Sequence, residues 1–316
     1  MTRRILVSNL MMIKEKDRFD RELRALGFDP VWPAVSQYLT AASCRALMGD
    51  IDGWLAGDDE ITADVLRAAS PRLQVISKWG TGIDSIDLAA AKSMGIPVLN
   101  SRAAFASAVA ECAIGYMLML MRHLGSVDRA VRDGGWPKPC GTSPAGKTIG
   151  LVGYGAIGRR IGDLASAFGM RIVYHDPAVD LAMGSALSVS LPALAKRADV
   201  VVLACNLSPD NTGMIDAEFL ASMKPGAVLI NVARGPLVQT DPLIAALSGG
   251  RLAGAALDVY ETEPLPPDSR LTAMENVVLG SHNANNETSA VEFVHRNTIA
   301  NLLSVLKPTR RLEEAT

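Results

Sequence analysis

The sequence predicts an α/β chain of two domains, each a doubly wound parallel sheet, and three observations carry that prediction. Short apolar runs alternate with helical patterns along nearly the whole chain. Residues Gly150 to Asp176, GLVGYGAIGRRIGDLASAFGMRIVYHD, read as strand, glycine turn, helix, strand and acidic stop. That unit lies at mid-chain, so the long stretch before it requires a fold of its own.

In that first stretch, Ile5 to Ser8, Val31 to Pro33, Gly53 to Ala56, Leu73 to Lys78 and Pro97 to Leu99 read as strands, with helices such as Arg18 to Leu26 and Ala63 to Ala68 between them. Gly27 and Gly95 punctuate the alternation. After Asp176 come helix Leu191 to Arg197, strand Val200 to Ala204, helix Asp216 to Met223, strand Val228 to Val232 and helix Pro242 to Leu247. Strands Ala253 to Val259 and Val277 to Leu279 follow, so that with the two strands of the glycine unit six are expected in the second sheet. From Glu287 to Leu306 one helix is expected, with Val291, Val294, Ile299, Leu302 and Leu303 spaced for a single face that returns to the first domain. The expected division is residues 1–100 with 285–316 as the substrate-binding domain and 101–284 as the nucleotide domain, with an active cleft between them.

Composition narrows the function classes. Of 316 residues 49% are apolar, enough for two cores. A formal net charge of -2 and the lack of a long basic run give no electrostatic footprint for nucleic acid. Ala103 to Met121 is nearly all apolar, but Glu111 in its middle favours a helix buried against protein over a membrane span. The opening residues, MTRRILVSNLMMIKEK, read as a first strand and not as a leader, because Ser8 and Asn9 interrupt the apolar run. Cys44, Cys112, Cys140 and Cys205 lack paired or metal-like spacing and are expected as reduced cytoplasmic thiols. Small-molecule chemistry is the expectation that remains.

The glycine unit names the kind of small molecule. In Gly153-x-Gly155-x-x-Gly158 the first glycine permits a tight turn, the second lets backbone approach a pyrophosphate, and the third lets helix and strand pack closely. Ala156 and Ile157 open the helix whose N-terminus faces the phosphates. Asp176, closing the next strand, is placed to accept hydrogen bonds from an adenosine ribose and to repel a 2'-phosphate, which predicts NAD. His175 flanks that position, and His123, read on the apolar helix, is taken as structural. Glu292 and His295 sit at helix spacing, but one pair does not make a metal site and none is expected.

In an open α/β sheet ligands lie at the carboxyl ends of the strands. Three such ends carry Ala233 and Arg234, then Tyr260 to Glu263, then Ser281 and His282, so an arginine, a carboxylate and a histidine converge on one edge. The stretches INVARGPLV, AALDVYETEPL and His282 resemble the D-isomer-specific 2-hydroxyacid dehydrogenases, most closely the phosphoglycerate dehydrogenase-like branch. KWGTGIDSIDL and AVAECAIGYML extend the resemblance over nearly the whole chain. It implies that Arg234 anchors the substrate, Glu263 orients His282, and His282 transfers the proton while hydride passes between a 2-hydroxy or 2-oxo acid and NAD. A guanidinium grips a carboxylate by two parallel hydrogen bonds, and a carboxylate beside an imidazole fixes its tautomer and stabilises its charged form. The resemblance also places Asn206, Ala233 and Asp258 at the cofactor, Thr81 and Gly82 at the substrate carboxylate, and Lys78 at a distal phosphate. A homodimer through the cofactor domains is implied as well.

Each residue has a plainer reading: a paired arginine, a solvated glutamate, a capping Asp258, glycines in an ordinary turn, a surface Lys78. The chain also departs from the family pattern. Ala204, Asn206 and Cys112 replace a histidine, a proline and a histidine, and Asn283 to Asn286 replace a small, glycine-rich run. Ala56 and Gly57 stand where the phosphoglycerate branch carries an arginine, and Asp58, Asp59 and Glu60 would oppose a doubly charged substrate. Phosphoglycerate dehydrogenase, glyoxylate or hydroxypyruvate reductase and an NAD-responsive binding protein of the corepressor type therefore stay open.

Overall fold

The computed structural model describes residues 2–179 and 186–307. The chain forms two compact units, one from the residues up to Ala104 with those from Thr288 onward, the other Phe105–Glu287.

The first unit runs β1 (Arg3–Val7), α1 (Leu10–Lys14), α2 (Lys16–Ala25), β2 (Phe28–Val31), α3 (Ala41–Leu47), β3 (Gly53–Ala56), α4 (Ala63–Ala69), β4 (Val75–Lys78), α5 (Leu88–Ser93) and β5 (Val98–Leu99). Its five strands are parallel in the order β2-β1-β3-β4-β5. Every residue of β3 and β4 is buried, as expected of a parallel sheet covered on both faces. Pro30 sits in β2, an edge strand, where its missing N–H costs no ladder bond. Three short helices not expected from periodicity start on side-chain caps: Asn9 accepts from Met12 N, Thr40 from Ser43 N and Asp87 from Ala90 N.

The second unit contains α6 (Ala106–Met121), α7 (Leu124–Arg132), β6 (Thr148–Val152), α8 (Ala156–Ala167), β7 (Arg171–His175), β8 (Leu187–Ser188), α9 (Leu191–Arg197), β9 (Val200–Leu203), α10 (Ala217–Ser222), β10 (Ala227–Asn231), α11 (Thr240–Ser248), β11 (Leu252–Leu257) and β12 (Val277–Leu279). The sheet order is β12-β11-β10-β9-β6-β7-β8, all parallel. Six strands were expected; the seventh, β8, is a two-residue edge strand too short for a periodic signal. Strand order reverses between β6 and β9, which opens a crevice at their carboxyl ends.

Helix α6 buries Ala108, Val109, Ala113, Ile114 and Met117 while Glu111 stays exposed. It lies against α8 and the β10 to β12 side of the sheet. His123 falls beyond its end, in a left-handed conformation that starts α7, and not on the apolar helix. Helix α12 (Thr288–Val305) belongs to the first unit and lies on β3 and β4. A Cβ at Gly53 would stand 2.7 Å from Leu302 Cδ1 and 2.8 Å from Leu306 Cδ1, so a side chain there would make these leucines shift.

Candidate active site

The nucleotide turn is built where β6, β9 and α8 meet. Gly153 has φ +93°, and a Cβ there would lie 2.7 Å from the Cys205 backbone. A Cβ on Gly158 would collide with the Gly153 carbonyl, which is the close helix-to-turn packing expected of the third glycine. Gly155 differs from both: its φ is -74°, and a Cβ there would meet nothing within 4 Å. Neither backbone strain nor a protein neighbour demands glycine there, so the open space fits a ligand pressed against the turn. The first amides of α8, from Ala156 onward, have no intrahelical acceptor and face that end.

Asp176 is held at the rim of the same turn. Its Oδ2 accepts from Tyr154 N at 2.7 Å and its Oδ1 from Ala178 N at 2.9 Å. The residues present therefore suit a dinucleotide: open amides for the pyrophosphate and a half-buried carboxylate after the second strand. His175 turns toward β8, with Nδ1 3.1 Å from the Val189 carbonyl oxygen. Asn206 is exposed, and its carbonyl accepts from Asn211 Nδ2. Ala233 is buried, with its N–H donated to Asn231 Oδ1 and its carbonyl accepting from Arg234 Nη1.

The loops after β10, β11 and β12 carry Arg234, Glu263 and His282 on adjacent strand ends of the second unit. Arg234 is placed by Asn231, a fully buried side chain that donates from Nδ2 to the Arg234 carbonyl and accepts at Oδ1 from Ala233 N. Gly235 lies against the Tyr260 and Glu261 backbone where any Cβ would overlap, so glycine fixes how the Arg234 loop meets the next one. Glu263 accepts at Oε1 from Tyr260 N at 3.0 Å and meets His282 Nδ1 through Oε2 at 2.7 Å. Both side chains of that pair are partly exposed, at 20% for Glu263 and 27% for His282.

His282 has φ +55°, a left-handed conformation that costs a residue with a side chain about 1–2 kcal/mol. Asp258, expected at the nicotinamide, holds this conformation in place. Its carbonyl accepts from His282 N, its Oδ1 from Asn283 N and Tyr116 Oη, and its Oδ2 from Ala284 N. The carboxylate is 2% exposed and engaged on both oxygens, which is the capping reading. Tyr260 ties the loops together, its hydroxyl lying 2.9 Å from the Leu257 carbonyl oxygen and 2.7 Å from that of Gly280. Burial, then the Asp258 and Glu263 charges, push that phenol up to about 12. The contacts of Tyr116 with Asp258 and of Tyr260 with Gly280 were not legible, since these partners lie on separate elements.

In the first unit, Gly80 with φ +106° turns the chain after β4. Thr81 donates from Oγ1 to the Ser101 carbonyl, and its own carbonyl accepts from Asn100 Nδ2. Among the described residues no acceptor meets the Thr81 or Gly82 N–H. Lys78 is turned inward: its side chain is 4% exposed, and Nζ reaches Asp58 Oδ1 and the Trp79 carbonyl, both at 2.9 Å. Its charge is matched inside the unit, so Lys78 is not the surface cation of the plainer reading. Asp59 is fully buried, and its carboxylate accepts from Ser8 Oγ, Leu39 N and Gly57 N. Glu292 pairs with Arg18 and Arg296, and His295 receives Trp79 Nε1–H on Nδ1. Among the described residues no three His, Cys, Asp or Glu side chains are grouped to hold a metal ion, and no helix is long and apolar enough to cross a membrane.

Residues 114–284 match the NAD binding domain of the D-isomer specific 2-hydroxyacid dehydrogenases. The chain is 39% identical over 259 residues to the glyoxylate reductase of Thermofilum pendens, covering 79% of this chain and 76% of that one. It is 37% identical over 228 residues to the hydroxypyruvate reductase of Thermotoga maritima, covering 71% and 74%. The crystal structure of a glyoxylate reductase from Paecilomyes thermophila superposes with a TM-score of 0.82 at 26% identity, over 96% of this chain and 95% of that one. With parallel sheets, a dinucleotide turn and an arginine, a glutamate and a histidine on neighbouring strand ends, the chain belongs to the D-isomer specific 2-hydroxyacid dehydrogenases and is an NAD-dependent oxidoreductase.

Proposed function

We propose that this enzyme reduces a small unphosphorylated 2-oxo acid, of the glyoxylate or hydroxypyruvate kind, and oxidises the corresponding D-2-hydroxy acid in reverse. The observation that carries the reading is the 2.7 Å contact between Glu263 Oε2 and His282 Nδ1 on the edge that also bears Arg234. When bound, NAD supplies a hydride acceptor at its nicotinamide, and NADH a hydride donor. The backbone of Gly155, Ala156, Ile157 and Gly158 would hold the pyrophosphate, Asp176 the ribose hydroxyls, and Asn206 and Ala233 would border the remaining cofactor surface.

Arg234 binds the substrate carboxylate or carbonyl oxygen through its planar fork. Glu263 accepts a hydrogen bond from Nδ1–H of His282, which leaves Nε2 to work on the substrate. In reduction the imidazolium gives its Nε2 proton to the developing alkoxide; in oxidation the neutral ring removes the hydroxyl proton. The preference for an unphosphorylated acid rests on Lys78, which is turned inward and matched by Asp58. A homodimer fits the exposed Leu124, Val131 and Trp136 on and after α7, and a cytoplasmic location fits four free cysteines.

The deciding assay is a panel of glyoxylate, hydroxypyruvate, pyruvate and 3-phosphohydroxypyruvate with NADH, repeated with NADPH. Fast turnover of the first two supports the reading. A clear preference for the phosphorylated acid overturns the substrate assignment, and NADH binding without turnover on any acid points to a binding protein. Sedimentation at the mass of one chain would count against the dimer.

A further inference from the structure

The proton-transfer histidine is supported from behind by a hydrogen-bonded brace that reaches α6. Asp258 grips three successive amides: His282 N on its carbonyl at 2.7 Å, Asn283 N on Oδ1 at 3.1 Å and Ala284 N on Oδ2 at 3.0 Å. That grip over-determines the left-handed backbone of His282. It works only while the carboxylate keeps one rotamer, and the side chain that fixes the rotamer is Tyr116, whose hydroxyl donates to Oδ1 at 2.9 Å. Gly280 confirms how close these groups stand, because a Cβ there would overlap both Asp258 Oδ1 and Tyr116 Oη.

We propose that Tyr116 is a positioning residue for proton transfer, acting through Asp258 on the backbone that aims His282 at the substrate. The inference rests on the role given to His282 above. Among the described residues the Tyr116 hydroxyl bonds to Asp258 and not to the glycine turn or the Glu263–His282 pair, so its influence on chemistry has to pass through the Asp258 carboxylate. With a phenylalanine at this position Oδ1 keeps only Asn283 N, the buried carboxylate is short of a donor, and the 282–284 segment is released to relax. The ionisable groups around the carboxylate are Tyr116 and Cys112 on α6 and Tyr260 beyond β11, and Glu263 faces the histidine. Burial and the Asp258 charge hold the Tyr116 phenol well above its usual range, so it stays a donor at every working pH.

The test is Tyr116→Phe, with kcat for glyoxylate reduction by NADH followed against pH and the NADH dissociation constant followed by fluorescence. The expected result is a kcat about tenfold lower and an alkaline limb moved to lower pH, because the imidazolium loses part of its hold on Glu263, with NADH affinity within about twofold of wild type. In an Asp258→Asn background the same substitution should add almost nothing, since the path is already broken. An unshifted pH profile in Tyr116→Phe, or an equal further loss in the Asp258→Asn background, overturns the brace. His282→Asn separates the two levels: if it turns over normally, the role of His282 fails, whereas its inactivity beside an unaltered Tyr116→Phe profile sinks the brace alone.

Discussion

Two histidines show how differently this chain uses one side chain. His282 follows β12 on an exposed strand end, with Nδ1 against Glu263 and its ring 27% exposed. His295 sits inside α12 with a side chain 1% exposed, stacked at a tilt on Phe19 with centroids 4.8 Å apart. Its Nδ1 accepts from Trp79, which leaves the proton on Nε2, and Glu15 Oε1 stands 3.6 Å from that atom, beyond a normal hydrogen bond. Burial holds the His295 pKa below its ordinary 6.5 despite Glu15 and Glu292 nearby, with Arg18 and Arg296 adding to the lowering. His282 has a carboxylate at contact distance and an open face, the surroundings that the proposed proton transfer needs, whereas His295 has an aromatic wall and a hydrogen bond to indole, the surroundings of a packed core side chain.

Breaking the first environment should have the largest effect. Glu263→Gln keeps the size of the side chain but loses the charge that supports the imidazolium, and kcat for 2-oxo acid reduction should fall about 1000-fold with NADH binding retained. Arg234→Lys keeps the charge and loses the fork; steady-state assays should show kcat/KM about 100-fold lower, carried mainly by KM. Next comes the cofactor edge, where Asp176→Asn should shift the ratio of NADH to NADPH efficiency about tenfold toward NADPH. An unchanged ratio would remove Asp176 from that role.

The second environment should respond in stability and hardly in rate. Because the folded pKa of His295 lies below that of the unfolded chain, the unfolded state takes the proton first as pH falls. The stability due to the neutral ring is thus complete above about pH 6.5 and declines below it. His295→Gln, which keeps an acceptor for Trp79, should flatten the fall in Tm between neutral pH and pH 5 while leaving turnover close to wild type. Equal slopes for the two proteins would show that His295 does not set this dependence.

The glycine unit was legible because its meaning is local: β7 begins and ends where the sequence pattern places it, and Gly153 and Gly158 make the tight turn and the close helix packing that their spacing implies. The three strand-end residues were legible as types at given distances along the chain, and the structure brings Glu263 and His282 into contact. Side chains whose role depends on a partner from another element were not legible. Lys78 reads as a surface cation until Asp58 meets it, and the two amides and the Tyr116 hydroxyl that the Asp258 carboxylate accepts cannot be read from its place at a strand end. Short helices α1, α3 and α5 carry caps but too few turns to show a period.

The most direct measurement replaces each histidine by asparagine and compares kcat for glyoxylate reduction at saturating NADH. His282→Asn should lose about 1000-fold or more while still quenching NADH fluorescence, and His295→Asn should keep most of the wild-type rate. Comparable losses in both, or near-normal turnover in His282→Asn, would contradict the assignment of proton transfer to the strand ends of the second unit.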